Sequence, residues 1–193
     1  WLHEKFQNAP TGALNSQWPR LFLDPSGAPH VLLRTWSNML EYTRSEAGTW
    51  NYHVLLNTTP TDGMITFEDG IWQDAGNATV FYQKFESEGE AFWILQKTNG
   101  TWQPPLRLKT FSRVAESRVS VASSADGTRV AAVCYTMNGL VLFTRTGIGW
   151  VESLVPIPEI NLPYFKVGFD SGNRLHILVR PSAFKTDVFD LHE

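Results

Sequence analysis

"DPSGAPHVLLRTWSNMLEYTRSEAGTW", residues 24–50, is the stretch that decides the fold. An acidic turn opens it, two apolar runs follow, and a Gly-Thr-Trp closes it. The runs are short, rich in β-branched and aromatic residues, and separated by Gly, Asp, Asn and Ser, which is typical of strands joined by turns. The pattern predicts the second and third strands of a small sheet and the start of its fourth.

The same pattern recurs along the chain. A tryptophan follows a Gly-containing turn at Trp50, Trp102 and Trp150, with spacings of 52 and 48 residues, and Trp1 stands 49 residues before Trp50. No stretch keeps a helical period. Four-stranded units that repeat every ~40–50 residues are typical of the blades of a β-propeller.

We therefore predict an all-β fold, a single β-propeller domain over residues 1–193 made of four four-stranded repeats of about 48 residues. Residues 163–191 supply three strands, and residues 1–7 read as a lone fourth strand, so the N-terminal strand is expected to close the last sheet. Two alternatives stay open. The chain either pairs with a second copy in a larger ring or is part of a longer repeat array.

Composition narrows the partners. Hydrophobic residues make up 42% and charged residues 18%, with a net charge of −3, which indicates a globular protein without a basic surplus for nucleic acid. No apolar run approaches the ~20 residues of a membrane span. No phosphate loop or dinucleotide motif occurs, and the five histidines have no zinc-ligand spacing, so we expect neither a cofactor nor a metal. Cys134, the single cysteine, lies in an apolar run and is predicted to be a buried thiol.

Three N-glycosylation sequons begin at Asn57, Asn77 and Asn99. They favour a secreted glycoprotein.

One repeat unit carries a family resemblance, on the residues Asp24, Gly27, Pro29, His30, Tyr42 and Trp50. It resembles the D-x-x-G-x-P-H-[IV]…L-x-Y…G-x-W repeat of secreted bacterial proteins, close to the bacterial-neuraminidase-type repeat propellers. That broad group includes lectins, polysaccharide lyases and glycosidases. The resemblance implies a secreted propeller that handles carbohydrate.

Two cations are candidates for ligand contacts in the central channel. Arg20 and Lys166 each stand four residues before an aspartate that opens a turn, so the repeat places them at the same height. The aligned positions in the other repeats lie near Gly70 and Ser120. Convergent cations suit a carboxylate or sulfate on a sugar, and the alternative is that they pair with nearby carboxylates of the protein.

Two tryptophans are the candidate aromatic contacts. Trp36 lies in a predicted loop between the second and third strands, on the face that usually binds ligands in propellers, and Trp18 precedes a first strand. Exposed indole rings stack well on sugar faces. The alternative is that both rings pack between neighbouring sheets.

Two histidines are the candidates for catalysis. His30 and His176 each follow an aspartate by six residues and begin matching second strands. A histidine can act as acid or base on a uronate, as in lyases of related architecture. The competing interpretation is that each histidine fixes its turn by hydrogen bonds.

Three functions follow from these candidates. The first is a non-catalytic propeller that binds carbohydrate or another surface ligand on one face or at the channel mouth. The second is a polysaccharide-active enzyme, a lyase or glycosidase, and in the lyase His30 or His176 would act as the acid or base. The third is a scaffold that binds protein, and a homo-oligomer is compatible with all three.

Overall fold

The computed structural model describes residues 19–34, 38–57, 64–111, 119–136, 139–146, 149–155, 164–180 and 189–192. These residues form four antiparallel sheets and contain no helix. Within each sheet the strands pair in chain order, so each sheet is a meander. Trp18 and Trp36, and the proposed closing strand at residues 1–7, lie outside the described residues.

The strand bounds follow the predicted repeat. Sheet 1 contains β1 (Arg20–Leu23), β2 (Pro29–Arg34), β3 (Asn38–Arg44) and β4 (Trp50–Asn57). Sheet 2 contains β5 (Met64–Trp72), β6 (Ala78–Glu86), β7 (Gly89–Thr98), β8 (Thr101–Trp102) and β9 (Leu106–Phe111). Sheet 3 contains β10 (Val119–Ser123), β11 (Val130–Thr136), β12 (Gly139–Thr146) and β13 (Gly149–Val155). Sheet 4 contains β14 (Tyr164–Phe169), β15 (Leu175–Arg180) and β16 (Phe189–His192).

The tryptophan period marks the outermost strands. Trp50 begins β4, Trp102 lies in β8 and Trp150 lies in β13, as the repeat predicts. In sheet 2 the outer strand is split, since β8 and β9 both pair with β7. Pro104 and Pro105 stand at the break. Proline has no N–H to donate to a sheet, which explains the interruption.

The sheets pack face to face, and the core lies between them. One cluster of buried side chains joins sheets 1 and 2, a second joins sheets 2 and 3, and a third joins sheets 3 and 4. Central strands are therefore apolar on both faces, as in "VAAVCYT" of β11. Cys134 is buried in the second cluster, as predicted, and burial raises the pKa of its thiol.

In sheets 1 and 4 the aspartate directly after the inner strand holds the turn to the second strand. Asp24 Oδ1 accepts the N–H groups of Ser26 and Ala28, each at 2.9 Å. Asp170 Oδ1 accepts the equivalent N–H groups in sheet 4. These Asx turns explain the aspartate at this point in sheets 1 and 4. Sheet 3 has Ser124 there, whose Oγ accepts the N–H of Arg129, and sheet 2 has Gln73.

A buried carboxylate ties sheet 1 to sheet 2. Glu41, on β3, is 2% exposed. Its two oxygens accept the indole N–H of Trp72 at 3.0 Å and that of Trp102 at 2.9 Å. His30 Nδ1 and Lys97 Nζ lie 3.0 and 3.6 Å from Oε1. Burial alone would raise the pKa of Glu41, but the hydrogen bonds from His30 and Trp102 and the charge of Lys97 hold it below its usual value.

Replacing this carboxylate is expected to loosen the junction. A Glu41→Gln change replaces one carboxylate oxygen by an NH₂ group, which cannot accept a hydrogen bond. The indole and imidazole N–H groups and the ammonium around it then lose an acceptor and a counter-charge. We expect a loss of about 2–4 kcal/mol in the free energy of unfolding, measured by urea denaturation. The control is Glu152→Gln, which removes a surface pair with Lys109 and should change stability by less than about 0.5 kcal/mol. Equal stability of the two variants would contradict the role of Glu41.

Acid should weaken the turns. The hydroxyl of Ser124 and the N–H of Thr128 lower the pKa of Asp126 to about 2, below its ordinary value of 3.8. A carboxyl whose pKa is lowered by folding stabilises the folded state. This stabilisation is complete when the pH is above the pKa of the unfolded state, and it is lost as the pH falls toward the pKa of the folded state. Melting temperatures should therefore drop between about pH 4 and pH 2.

The variant Asp126→Asn keeps an acceptor for the turn but cannot titrate. Its melting temperature should start lower at neutral pH and change less with acid than that of the wild type. Glu46→Gln, an exposed change outside these turns, serves as the control. An unchanged acid slope in Asp126→Asn would exclude this carboxyl as a source of the acid sensitivity.

Candidate functional site

Side chains from the inner strands meet at the centre of the four sheets. Arg20 Nη1 lies 3.5 Å from Asp69 Oδ1, and Lys166 Nζ lies 3.9 Å from Asp69 Oδ2. The two cations that the repeat aligned therefore lie close together in the structure, on either side of Asp69. In sheet 2 the aligned residue is Asp69, opposite Phe81, and not its neighbour Gly70. The N–H that closes the turn of sheet 2 belongs to Gln73, so Gln73 is the equivalent of Asp24 and Asp170. Counting back four residues from Asp74, one position later, gave Gly70 instead of Asp69.

Asp69 is an enclosed counter-charge. It is 7% exposed and also accepts the backbone N–H groups of Val121 and Gly70, each at 3.1 Å. Burial raises its pKa, and the charges of Lys166 and Arg20 offset part of that effect. The two cations thus share one carboxylate of the protein, which corresponds to the alternative interpretation of the sequence. A ligand role for Arg20 and Lys166 stays a prediction.

His30 is enclosed rather than poised at a cleft. It is 4% exposed, stacks on Trp72 at 4.9 Å and places Nδ1 against Glu41. Its Nε2 lies 3.8 Å from Asp24 Oδ2. A buried imidazole between two carboxylates has no open side for a substrate. The hydrogen bond of His30 goes to Glu41 on β3, so the geometry favours a structural role at the junction rather than the predicted hydrogen bonds to its turn.

His176 is less enclosed, with 23% of its side chain exposed, but its Nε2 lies 3.2 Å from Asp170 Oδ2. Its ring is therefore held against the aspartate of its own turn, as the structural interpretation expects.

The sequons differ in their surroundings. Asn57 and Asn99 are exposed, as glycan attachment requires. Asn77 donates its side-chain N–H₂ to both oxygens of Asp74. A glycan on that nitrogen would replace one of its two N–H groups. N-glycosylation of Asn57, Asn77 and Asn99 stays a prediction.

The turn ends of the inner strands enclose a pocket of about 540 Å³. Its walls are the turn of sheet 2 with Asp74 and Asn77, the turn of sheet 3 at residues 123–127, and Arg145 near the end of β12. Pro25 from the turn of sheet 1 contributes at the edge. We call this the turn-end pocket. Its volume is in the range of small-ligand sites.

The pocket offers both donors and acceptors. The Oδ1 atoms of Asp74 and Asp126 are filled by their own turns, while each Oδ2 accepts one asparagine N–H and keeps a further lone pair. The side-chain hydrogen bond from Asn77 and the N–H of Gly76 lower the pKa of Asp74. Arg145 is exposed and has no hydrogen bond or ion pair within the described part of the chain.

Sequence reasoning singled out these acidic turns but not the pocket. It placed the ligand face at the opposite end, on loops that lie almost wholly outside the described residues. Arg145 pairs with the repeat tryptophan Trp150, and Arg44 and Lys97 pair in the same way with Trp50 and Trp102. A cation six or five residues before the repeat tryptophan was therefore a signal in the sequence that could have found this position. The stacking of sheet 2 on sheet 3 brings it to Asp74, whereas Asp126 belongs to its own sheet.

Two further features concern partners. Among the described residues, no three His, Cys, Asp or Glu side chains are grouped as metal ligands. None of the described residues belongs to a helix with the length and apolarity of a membrane span.

Comparison with known proteins rests on structure. A scan against models of protein families finds no match, and a search of curated proteins finds no related sequence. The chain superposes on a fungal lectin of Aleuria aurantia, a six-bladed β-propeller with a novel mode of fucose recognition. The TM-score is 0.62 and the identity 9%, and the match covers 91% of this chain and 57% of the lectin.

Two other solved structures match at a similar level. A triple arginine-to-alanine variant of AofleA from Arthrobotrys oligospora gives a TM-score of 0.57 at 14% identity, over 93% of this chain and 56% of that one. An ulvan lyase, bound to its sulfated uronate polysaccharide, gives 0.54 at 12% identity, over 92% and 55% of the two chains.

The fold is a β-propeller. The likenesses confirm this prediction and, at such low identity, show the fold alone. This chain spans less than two thirds of the length of these three proteins. Its described residues form four sheets, whereas the Aleuria lectin has six blades.

The channel cations can be tested through Asp69. In Asp69→Asn the amide still accepts the N–H of Val121 or Gly70, but Arg20 and Lys166 lose their shared counter-charge. Retention on a heparin column at low salt should therefore increase, with a several-fold gain in affinity for a sulfated oligosaccharide. Adding Lys166→Ala to this variant should cancel the gain. Unchanged elution of Asp69→Asn would exclude an anion site in the channel.

Proposed function

We propose that this chain is a secreted, non-catalytic β-propeller that binds a neutral glycan in the turn-end pocket. One observation carries the proposal. Arg145, which has no partner within the described part of the chain, lines the same pocket as two carboxylates with accepting capacity to spare. A ligand that both accepts and donates hydrogen bonds would complete the site.

Sugar hydroxyl groups have this chemistry. Each hydroxyl donates one hydrogen bond and accepts up to two, so neighbouring hydroxyls can donate to Asp74 or Asp126 and accept from Arg145. Asn77 adds an amide at the wall of the pocket. The pocket is predominantly polar, and it is far from the apolar lining that a hydrophobic small molecule prefers.

Charge favours a neutral sugar over an acidic one. The turns lower the pKa values of Asp74 and Asp126, so both carboxylates are ionised at neutral pH against the single charge of Arg145. A uronate or sulfate would add another negative group to this site. The anionic ligand that the sequence suggested would bind at Arg20 and Lys166 instead, away from this pocket.

The pocket depends on which residue precedes the second strand of each sheet. At the junction of sheets 2 and 3 this residue is Asn77, whose amide is turned back onto Asp74. At the junction of sheets 3 and 4 it is Arg129, whose Nη1 donates to Asn173 O at 2.6 Å across the gap. The guanidinium also lies 5.2 Å from the Phe169 ring and fills the corresponding space. The junction of sheets 3 and 4 therefore has a side chain where the junction of sheets 2 and 3 has the pocket.

The solved structures with a similar fold include proteins that bind or act on sugars, which supports a sugar as the class of ligand. One solved structure of the Aleuria lectin holds Fucα1-6GlcNAc, and its match to this chain has a TM-score of 0.62 at 9% identity. The ulvan lyase and an α-L-arabinofuranosidase of Coprinopsis cinerea show that enzymes use the same fold. We favour binding over catalysis here because His30 is enclosed and His176 is held by Asp170.

A glycan array with neutral, sialylated, uronate and sulfated sugars tests the proposal. We expect binding to a neutral glycan that changes little between low and moderate salt. Arg145→Ala should reduce the affinity at least tenfold by calorimetry, and Arg145→Lys should restore part of it, since a lysine keeps the charge but not the planar donors.

Two controls make the result specific. Arg174→Ala removes an arginine that is 74% exposed on the turn of sheet 4, outside the pocket, and should leave binding unchanged. Asn77→Arg copies the side chain that fills the next junction and should abolish binding. Binding confined to acidic glycans, or neutral binding that survives Arg145→Ala, would overturn the proposal. Product with an unsaturated uronate would instead establish the lyase.

A further inference from the structure

The first and second strands pair with the same register in all four sheets, so equivalent residues can be identified in each sheet. Arg20, Asp69, Ser120 and Lys166 pair with Leu32, Phe81, Val133 and Leu178, respectively. Each of these partners lies on the face that looks toward the following sheet, which we call the trailing face. Leu32, Phe81 and Val133 are 0–1% exposed, whereas Leu178 on sheet 4 is 47% exposed.

The opposite face, which looks toward the preceding sheet, is the leading face. Val121 and Val167 occupy it on sheets 3 and 4 and pack in the clusters below them. Their equivalent on sheet 1 is Leu21, which is 65% exposed. Leu23 is 62% exposed, while its equivalent in sheet 2, Trp72, is 3% exposed.

Both ends of the array are therefore bare. The leading face of sheet 1 exposes Leu21 and Leu23, and the trailing face of sheet 4 exposes Leu178 and Tyr164. Inner strands pack β1 on β5, β5 on β10 and β10 on β14, and β14 has no comparable packing on β1 within the described residues. Exposed apolar surface of this kind marks an interaction site.

The exposed part of the leading face is confined to the inner strand. The outer part of the leading face is already covered, since Val31 and Leu33 on β2 are 7% exposed, so the bare area lies next to the axis.

We propose that a second copy of this chain docks on these faces. Sheet 4 of each copy packs its trailing face on the leading face of sheet 1 of the other, which repeats the contact found at the three internal junctions. At one of these junctions the equivalents of Leu21 and Leu178 are Val167 and Val133, which belong to one buried cluster. Two head-to-tail contacts close a ring of two copies. Eight sheets are within the ~4–8 blades of known propellers.

Charge pairs test the contact directly. Sedimentation of the wild type should give twice the 21.8 kDa of one chain at micromolar concentration. Leu21→Lys and Leu178→Glu should each be monomeric, because each places a charge on both junctions of its own ring. An equimolar mixture of the two variants should form dimers again, since one junction is then unaltered and the other holds opposite charges. Leu154→Lys, at a leucine that is 58% exposed on the outer strand β13, is the matched control and should remain dimeric.

The other outcomes overturn the proposal. A monomeric wild type means that a copy of this chain does not cover the faces. A dimer that survives Leu21→Lys or Leu178→Glu pairs through another surface, and a mixture that stays monomeric excludes the head-to-tail contact. Open-ended polymers exclude the closed ring. Thermal melts of all variants confirm folding, and the test is independent of glycan binding.

Discussion

A sheet whose two faces are both apolar must be covered on both sides, and this constraint organises the molecule. β11 buries six of its seven side chains and β6 six of its nine, on both faces, so neither face can be left to solvent. Stacking each sheet between two neighbours satisfies the constraint and leaves only the outer strands and the two ends of the array in water. Because each meander begins at the inside, the first strands of all four sheets are gathered at one centre.

Because the inner strands lie next to one another, the polar side chains on them and on the turns that follow them also lie close together. Arg20, Asp69 and Lys166 meet only because their strands share an axis, and Asp69 then neutralises part of the charge that the two cations bring. The turns that follow the same strands lie together at one end, where Asp74 and Asp126 form the walls of a pocket. Whether the space between two turns is open depends on one side chain, an asparagine in one case and an arginine in the other.

Buried polar groups in this protein serve the junctions between sheets. Glu41 accepts bonds from two tryptophans of the next sheet and from His30 of its own. A carboxylate so engaged, and an imidazole held between Asp24 and Glu41, are locked in place by their partners. The groups that remain open to a ligand stand instead at the turn ends, on residues such as Arg145 that the packing does not use.

The sequence by itself determined the repeat, the strands and the turns. Trp50, Trp102 and Trp150 marked the outer strands, and the acidic turn after each inner strand located the hairpins, because strand alternation and Asx turns are local properties of the chain. The height of Arg20 and Lys166 also followed from the register. The tertiary structure alone decided that Asp69 lies between them, that His30 is enclosed by Trp72 and Glu41, and that Arg145 faces the turns of two sheets. Contacts between sheets depend on how faces stack, and residues far apart in sequence carry no local signal of which faces will meet.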